Sequence, residues 1–363
     1  MGVDGAGGSN QTMKKTAIVF GATGVAGRAL VKELERSGDW DVLAVSRRPP
    51  DYETRARHIA VDLSDESNCR DVLGGLDRVT HAFWTAYTER RTIAETREPN
   101  ARMFRNAIVA LESASPALQN IGLCHGTKYY GQYLGPFKTP AKETDPRISV
   151  PHYYYDQEDF IFELQKGKSW TWTSARPHVI CGYAKGNPRN IVSVIGVYAT
   201  VLRELGLPLT FPGKPGAYTT LYQATHAPLL SRAMIWMATT PSCGNLAFNI
   251  TNGDYFRYQH LWPQIATYFG MESGGVEHVD LEDFMADKGP VWDRVVAKYG
   301  LRPYGFSTVA DWRFANYVFS NDWDVMSDTT RCRNYGFLEF ISSADAFTKE
   351  FDVLRREGII PPQ

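Results

Sequence analysis

Short runs of β-forming apolar residues alternate with amphipathic stretches through the first half of this chain. Thr16–Phe20, Asp41–Ser46, Arg57–Val61, Arg78–Phe83, Asn120–Leu123 and Trp170–Ala175 read as strands. Helical patterns fall between them at Arg28–Arg36, Ser67–Leu73, Ile93–Ser113 and His152–Gln165. This alternation predicts an α/β fold with a doubly wound parallel sheet of the Rossmann kind. From Cys124 to Pro151 the pattern breaks into a long irregular loop rich in Gly, Pro and Tyr. A loop of that length at a strand's carboxyl end is usually functional.

Past Ile180 the signal changes. Aromatic clusters at Leu261–Phe269, Glu282–Tyr299, Val309–Phe319 and Tyr335–Phe351 predict a smaller C-terminal lobe. Such a lobe would cap the carboxyl edge of the sheet, where ligands of doubly wound folds bind. Ala224–Ala238 is expected to return and pack on the first lobe. The expected division is therefore residues 16–180 for the nucleotide, with a returning segment near 210–250, and 181–363 mainly for substrate. No repeat and no flexible linker interrupts it.

Composition narrows the function classes. A chain of 363 residues can bury a full core. Its net charge is −1 and it carries no long charged run, so nothing points to nucleic acid or an anionic membrane. No apolar run reaches the roughly 18 residues of a membrane helix. Met1–Lys15 is Gly- and Ser-rich, lacks an apolar stretch, and is expected to be a disordered leader rather than a signal peptide. Five scattered cysteines without a C-x-x-C suggest reduced thiols in a cytoplasmic protein. Asn10 and Asn249 head glycosylation patterns that carry no meaning without secretion. The eight histidines lack metal-ligand spacing, no metal is expected, and there is no G-x-S-x-G elbow. The abundant aromatics suit an apolar pocket or a large core.

The chemistry begins at Gly21-x-x-Gly24-x-x-Gly27, placed between the first strand and the first helix. In that context Gly21 permits a tight turn, Gly24 lets backbone approach a pyrophosphate, and Gly27 lets the helix pack close to the strand. The helix start then offers free N–H groups to phosphate. At the end of the second strand, an NAD-specific site would carry a carboxylate for the ribose 2′-OH. Here the chain reads Ser46-Arg47-Arg48. Guanidinium groups suit a 2′-phosphate, which favours NADPH; the alternative is two solvated arginines. Asp62 can accept from the adenine amino group or cap the next helix.

A Rossmann reductase also needs a group that stabilises an oxyanion beside the nicotinamide. The usual Y-x-x-x-K arrangement is missing, since no lysine has a tyrosine four residues before it. Glu158 stands four residues after Tyr154. What stands there instead resembles the progesterone 5β-reductase/iridoid synthase-like family. The resemblance rests on Gly21-Ala-Thr-Gly-Val-Ala-Gly27, Ser46-Arg-Arg48, Gly126-Thr-Lys128-Tyr-Tyr130, Gly135-Pro-Phe137 and Tyr154-Tyr-Asp-Gln-Glu-Asp159. It continues through Arg176-Pro177, Phe248-Asn-Ile-Thr-Asn-Gly253, Pro290-Val-Trp292 and Gly336-Phe-Leu338.

This resemblance implies an extended short-chain-dehydrogenase fold and NADPH-dependent reduction of enones or enals, with a small apolar substrate. It implies Tyr154 as the catalytic tyrosine and Lys128 as the lysine, recruited from the loop. Tyr153 and Tyr155 compete for the tyrosine's place. By the same resemblance Thr23, Val25, Leu63, Thr85, Ala86, Tyr154, Pro177 and Ile180 join the cofactor contacts, and Tyr87, Tyr130, Phe137 and Phe314 face the substrate. It also admits a homodimer. The chain departs from the family pattern at His178-Val179, Tyr129, Gly131–Leu134 and Ala86-Tyr87, all near the implied substrate. Two other readings stand beside this one: a carbonyl reductase or other extended short-chain dehydrogenase, and a non-catalytic NADP sensor.

Overall fold

The computed structural model describes residues 14–363, so the expected leader up to Met13, and Asn10 within it, lie outside the described residues. Lys15 belongs to the first strand rather than to the leader. The chain runs β1 (Lys15–Phe20), α1 (Val25–Ser37), β2 (Trp40–Ser46), β3 (Arg57–Ala60), α2 (Glu66–Leu73) and β4 (His81–Trp84). It continues through α3 (Ile93–Ala114), β5 (Asn120–Cys124), α4 (Tyr153–Gln165) and β6 (Thr171–Pro177). Then β7 (Val179–Cys181), α5 (Ile191–Glu204), β8 (Leu209–Phe211), α6 (Pro215–Thr219), β9 (Ala224–His226) and α7 (Ala227–Thr239) lead to β10 (Leu246–Ile250). The last part holds α8 (Tyr258–Tyr268), β11 (Ser273–Val276), α9 (Leu281–Met285) and α10 (Gly289–Tyr299), then α11 (Phe306–Val309), α12 (Trp312–Phe319), α13 (Thr330–Asn334) and α14 (Ser343–Arg356).

Seven strands form one parallel sheet in the order β10-β6-β5-β4-β1-β2-β3. The order reverses at β1, between β2 and β4, which opens a crevice at the carboxyl ends of those strands. Both faces are covered, and Ala17, Ile18, Val19 and Phe20 of β1 are fully buried. Leu30, Val31 and Leu34 of α1 and Leu229, Leu230, Ala233 and Met234 of α7 form the core on one face. Leu73 of α2, Phe104, Ala107, Ile108 and Leu111 of α3, and Ile161 of α4 form it on the other.

A third apolar core belongs to the cap. It is centred on α5, whose residues Ile191 to Leu202 are all buried, with Leu261, Trp262, Trp292, Phe319, Phe347 and Phe351 around them. Two short parallel pairs, β7 with β9 and β8 with β11, tie this part together. The sequence pattern carries the main elements with small shifts. His152 is not the first helical residue of α4 but its N-cap, because the ring Nδ1 accepts from the Tyr154 N–H at 3.2 Å. Within the long loop, Thr127–Tyr130 and Gln132–Leu134 form two short 3-10 turns. Among the described residues no helix is long and apolar enough to cross a membrane.

Candidate active site

A cleft of about 770 Å³ lies at the carboxyl ends of the strands, between the sheet and the cap. One wall is the glycine turn. Gly21 has φ +81°, and its N–H and that of Ala22 donate to the Val45 carbonyl. A Cβ on Gly21 would sit 2.7 Å from the Ala86 backbone; one on Gly27 would sit 2.1 Å from the Gly21 carbonyl oxygen. Gly27 therefore acts through packing, as its place in the motif predicts, and does not itself line the cleft. Gly24 is the N-cap of α1 and brings no capping side chain, which leaves the first-turn N–H groups for a ligand. Thr23, Gly24 and Val25 all line the cleft.

Ser46 and Arg47 line it at the end of β2, and Asp62 and Leu63 beyond β3. Arg48 does not; the Ser46 hydroxyl donates to its carbonyl at 2.6 Å. The expected pair of guanidiniums is thus a single Arg47. Asp62 does not cap a helix, since Asp65 takes that role by accepting from the Asn68 N–H. Instead the Asp62 carboxylate accepts from the Ser64 N–H and hydroxyl, which hold its pKa below the ordinary carboxylate range. Thr85 donates from its hydroxyl to the Phe20 carbonyl at 2.7 Å and so locks β4 to β1 beside the glycine turn. Ala86, Pro177 and Ile180 complete the expected set on the cleft wall.

Tyr154 and Lys128 reach the same cleft from different elements. Tyr154 stands in the first turn of α4, held by the cap at His152 and by the His125 ring. A Cβ on Gly126 would lie 3.3 Å from the Tyr154 hydroxyl, so the missing side chain there keeps the phenol's front clear. Burial pushes the Tyr154 phenol well above its usual pKa, which keeps it a protonated donor at neutral pH. Lys128 sits on the first 3-10 turn of the loop, where burial lowers its pKa; Glu89 acts against that shift and Arg189 adds to it. Tyr153 also lines the cleft. Tyr155 does not, because its hydroxyl donates to the Tyr129 carbonyl at 2.6 Å and is spent inside the loop.

The absence of a lysine after Tyr154 has a structural reason. Glu158 is almost fully buried and accepts from Arg176 at 3.0 Å, from Arg147 at 2.9 Å and from the Tyr129 hydroxyl at 3.0 Å. Arg176 in turn lies over the Tyr129 ring, 3.4 Å from its centroid. An ammonium at position 158 would meet two guanidiniums.

Two residues expected at the substrate lie elsewhere. Tyr130 is committed outside the cleft lining, donating to Asn249 Oδ1 at 2.6 Å and accepting from Arg176 at 3.1 Å. Phe137 packs among the loop tyrosines and against the cap core, outside the cleft lining. Tyr87 and Phe314 do line the cleft. Gln132, from the divergent Gly131–Leu134 stretch, joins them, and so do three polar residues that sequence reasoning missed: Glu89, Arg189 and Tyr317. Arg189 pairs with Glu89 at 2.9 Å, and the Tyr317 hydroxyl donates to Gln132 at 3.0 Å. None stands in a motif, and only the fold brings them together. The walls around Tyr154 are therefore more polar than the aromatic content suggests.

His178 also lies on the cleft wall, with its Nδ1 buried and unpartnered. Its Nε2 meets the Ser327 hydroxyl at 2.8 Å. The uncapped start of α1, by contrast, makes the lining fit the pyrophosphate of a dinucleotide. No cluster of metal-binding side chains occurs among the described residues.

Sheet order, glycine turn and cleft define a protein of the Rossmann fold. Within that class, the chain belongs to the PRISE-like Rossmann-fold family, whose profile matches residues 17–361. It is 35% identical over 369 residues to an (S)-8-oxocitronellyl enol synthase of Nepeta cataria, covering 96% of this chain and 94% of the relative. It is 33% identical over 371 residues to a 3-oxo-Δ4,5-steroid 5β-reductase of Arabidopsis thaliana, covering 97% and 95%. Among solved structures, a UDP-glucose 4-epimerase of Thermotoga maritima superposes with a TM-score of 0.67 at 15% identity, over 94% of this chain and 99% of that one. That last match speaks for the fold alone.

Proposed function

We propose that this protein is an NADPH-dependent oxidoreductase that reduces the activated C=C bond of enones or enals by 1,4-hydride addition. The observation that carries the reading is that Tyr154 and Lys128, 26 positions apart in sequence by the difference of their numbers, line one cleft with the glycine turn. Gly21, Thr23, Gly24 and Val25 would hold the pyrophosphate, Arg47 the 2′-phosphate, and Asp62 with Leu63 the adenine. Bound NADPH supplies a hydride. As negative charge develops on the substrate's carbonyl oxygen, the Tyr154 phenol donates a hydrogen bond to it. The Lys128 ammonium favours that anion by charge. The raised phenol pKa suits this role, since Tyr154 remains a donor throughout.

The relatives' names support the substrate class: one is an enol synthase, the other a reductase of a 3-oxo-Δ4,5 steroid. A cytoplasmic setting is part of this reading, supported by five free cysteines that suit reduced thiols. The test is NADPH consumption with a simple enone, followed by product analysis. Saturated ketone is the expected product. Allylic alcohol would instead identify a carbonyl reductase, and cofactor binding without turnover across an enone panel a sensor.

A further inference from the structure

Glu89 and Arg189 form an ion pair inside the cleft, from opposite sides. Glu89 lies on the loop after β4, on the sheet side, and accepts from the Tyr87 hydroxyl. Arg189 immediately precedes the N-cap of α5, on the cap side. Its guanidinium lies 2.9 Å from Glu89 and 3.9 Å from Asp311, and stacks over Phe314 with 5.6 Å to the ring centroid. The two side chains are 34% and 37% exposed, so each still has hydrogen-bonding capacity facing the cleft. Both line the same cleft as Lys128 and Tyr154.

An apolar substrate pressed against such a pair strips water from two charges and returns nothing for it. Desolvating charged groups without new partners is unfavourable, even where they remain paired with each other. A substrate hydroxyl gives that back: it donates to the carboxylate and accepts from the guanidinium. A substrate carboxylate would match Arg189 but meet Glu89 at close range and be repelled.

Resting on the reading under Proposed function, we infer that the natural substrate is a hydroxylated enone. Its hydroxyl sits between Glu89 and Arg189. The pair sets specificity for substrate and takes no part in hydride transfer.

The test uses the full chain saturated with NADP⁺ and three probes: benzylideneacetone and its meta-hydroxy and meta-carboxy analogues. Calorimetric titration should give the meta-hydroxy compound about tenfold tighter binding than either of the others, the worth of roughly one hydrogen bond to a charged group. The double variant Glu89→Leu/Arg189→Leu, which removes both charges at once, should bind the hydroxy and parent compounds alike. Parallel kcat/KM values with NADPH should follow the same order. Equal or tighter binding of the parent compound, or tightest binding of the carboxylate, overturns the inference. Because the ranking is read from binding by the unaltered protein, it stands or falls without the variant and without turnover. If no probe is reduced while the hydroxy preference holds, the proposed reduction fails and this inference survives.

Discussion

The His125 ring lies against the Tyr154 ring with centroids 4.4 Å apart and planes 26° apart. His125 Nε2 meets Gln157 Oε1 at 3.2 Å and its Nδ1 meets the Ser174 hydroxyl at 3.1 Å. Burial, with Arg176 nearby, lowers the His125 pKa to about 3, so a neutral ring donates to Gln157 and accepts from Ser174. The tyrosine is thereby clamped between a stacked imidazole and its own helix start. Tyr154→Phe should keep cofactor affinity and lose about 10²–10³ in kcat, the scale of one oxyanion donor. Tyr155→Phe should leave kcat within a few-fold and lower stability by about 1 kcal/mol, since its hydroxyl serves only the loop. Comparable kcat losses in both variants would break the assignment.

His152 and His178, like His125, are buried and held near a pKa of about 3 by desolvation. In the unfolded chain each would titrate near 6.5. Below that pH the unfolded state binds protons that the folded state refuses, so stability falls as pH drops from about 6.5 toward 3. Each such histidine costs up to about 1.4 kcal/mol per pH unit in that window. The melting temperature should therefore fall steeply between pH 6 and 4.5. A flat profile there would mean the rings titrate normally in the fold.

Gly27→Ala tests the packing role of the third glycine. The added methyl would stand 2.1 Å from the Gly21 carbonyl oxygen and 2.8 Å from Thr85 Oγ1, with backbone unable to give way cheaply. The expected loss is about 1–3 kcal/mol of stability together with weaker cofactor binding, because the turn itself must shift. Unchanged denaturation and unchanged cofactor affinity would show that the helix can slide instead.

Arg47 and Arg48 are neighbours with unequal surroundings, and only Arg47 lines the cleft. Arg47→Ala should weaken NADPH binding by at least tenfold while NADH binding changes little, as expected for a lost charge-assisted contact to phosphate. Arg48→Ala should leave both within two- to threefold. Fluorescence titration of each variant with both cofactors measures this directly, and equal effects of the two substitutions would contradict it.

Glu158→Ala should be among the most damaging changes away from the cleft, by about 3–5 kcal/mol. It strands the buried Arg176 guanidinium and removes a partner from Arg147. Chemical denaturation reads the loss, and a shift under 1 kcal/mol would mean water or Tyr130 takes over the charge.

The sheet was legible because its signals are local. β1, the glycine turn and α1 follow one another within 23 residues from Lys15 to Ser37, and each obeys its own periodicity or turn rule. Asp62 follows from that frame, since a strand end fixes where its side chain stands, whereas Thr23, Val25 and Thr85 came with the family resemblance. Arg48 and Tyr130, which do not line the cleft, share one physical cause. On a turn, adjacent residues point in different directions, and no periodic pattern states which one faces the ligand. Glu89 and Arg189 were invisible for another, since they meet only after β4 and α5 have been placed by packing of distant chain.

β10 takes its place beside β6 only after the chain has gone out through α5, α6 and α7 and come back. The two halves are thus laced together rather than joined end to end. During synthesis β6 waits with an open flank until Leu246–Ile250 emerges, a stage at which the nascent chain is prone to pair wrongly with others. For the same reason the cap cannot be exchanged as a cassette by one recombination event.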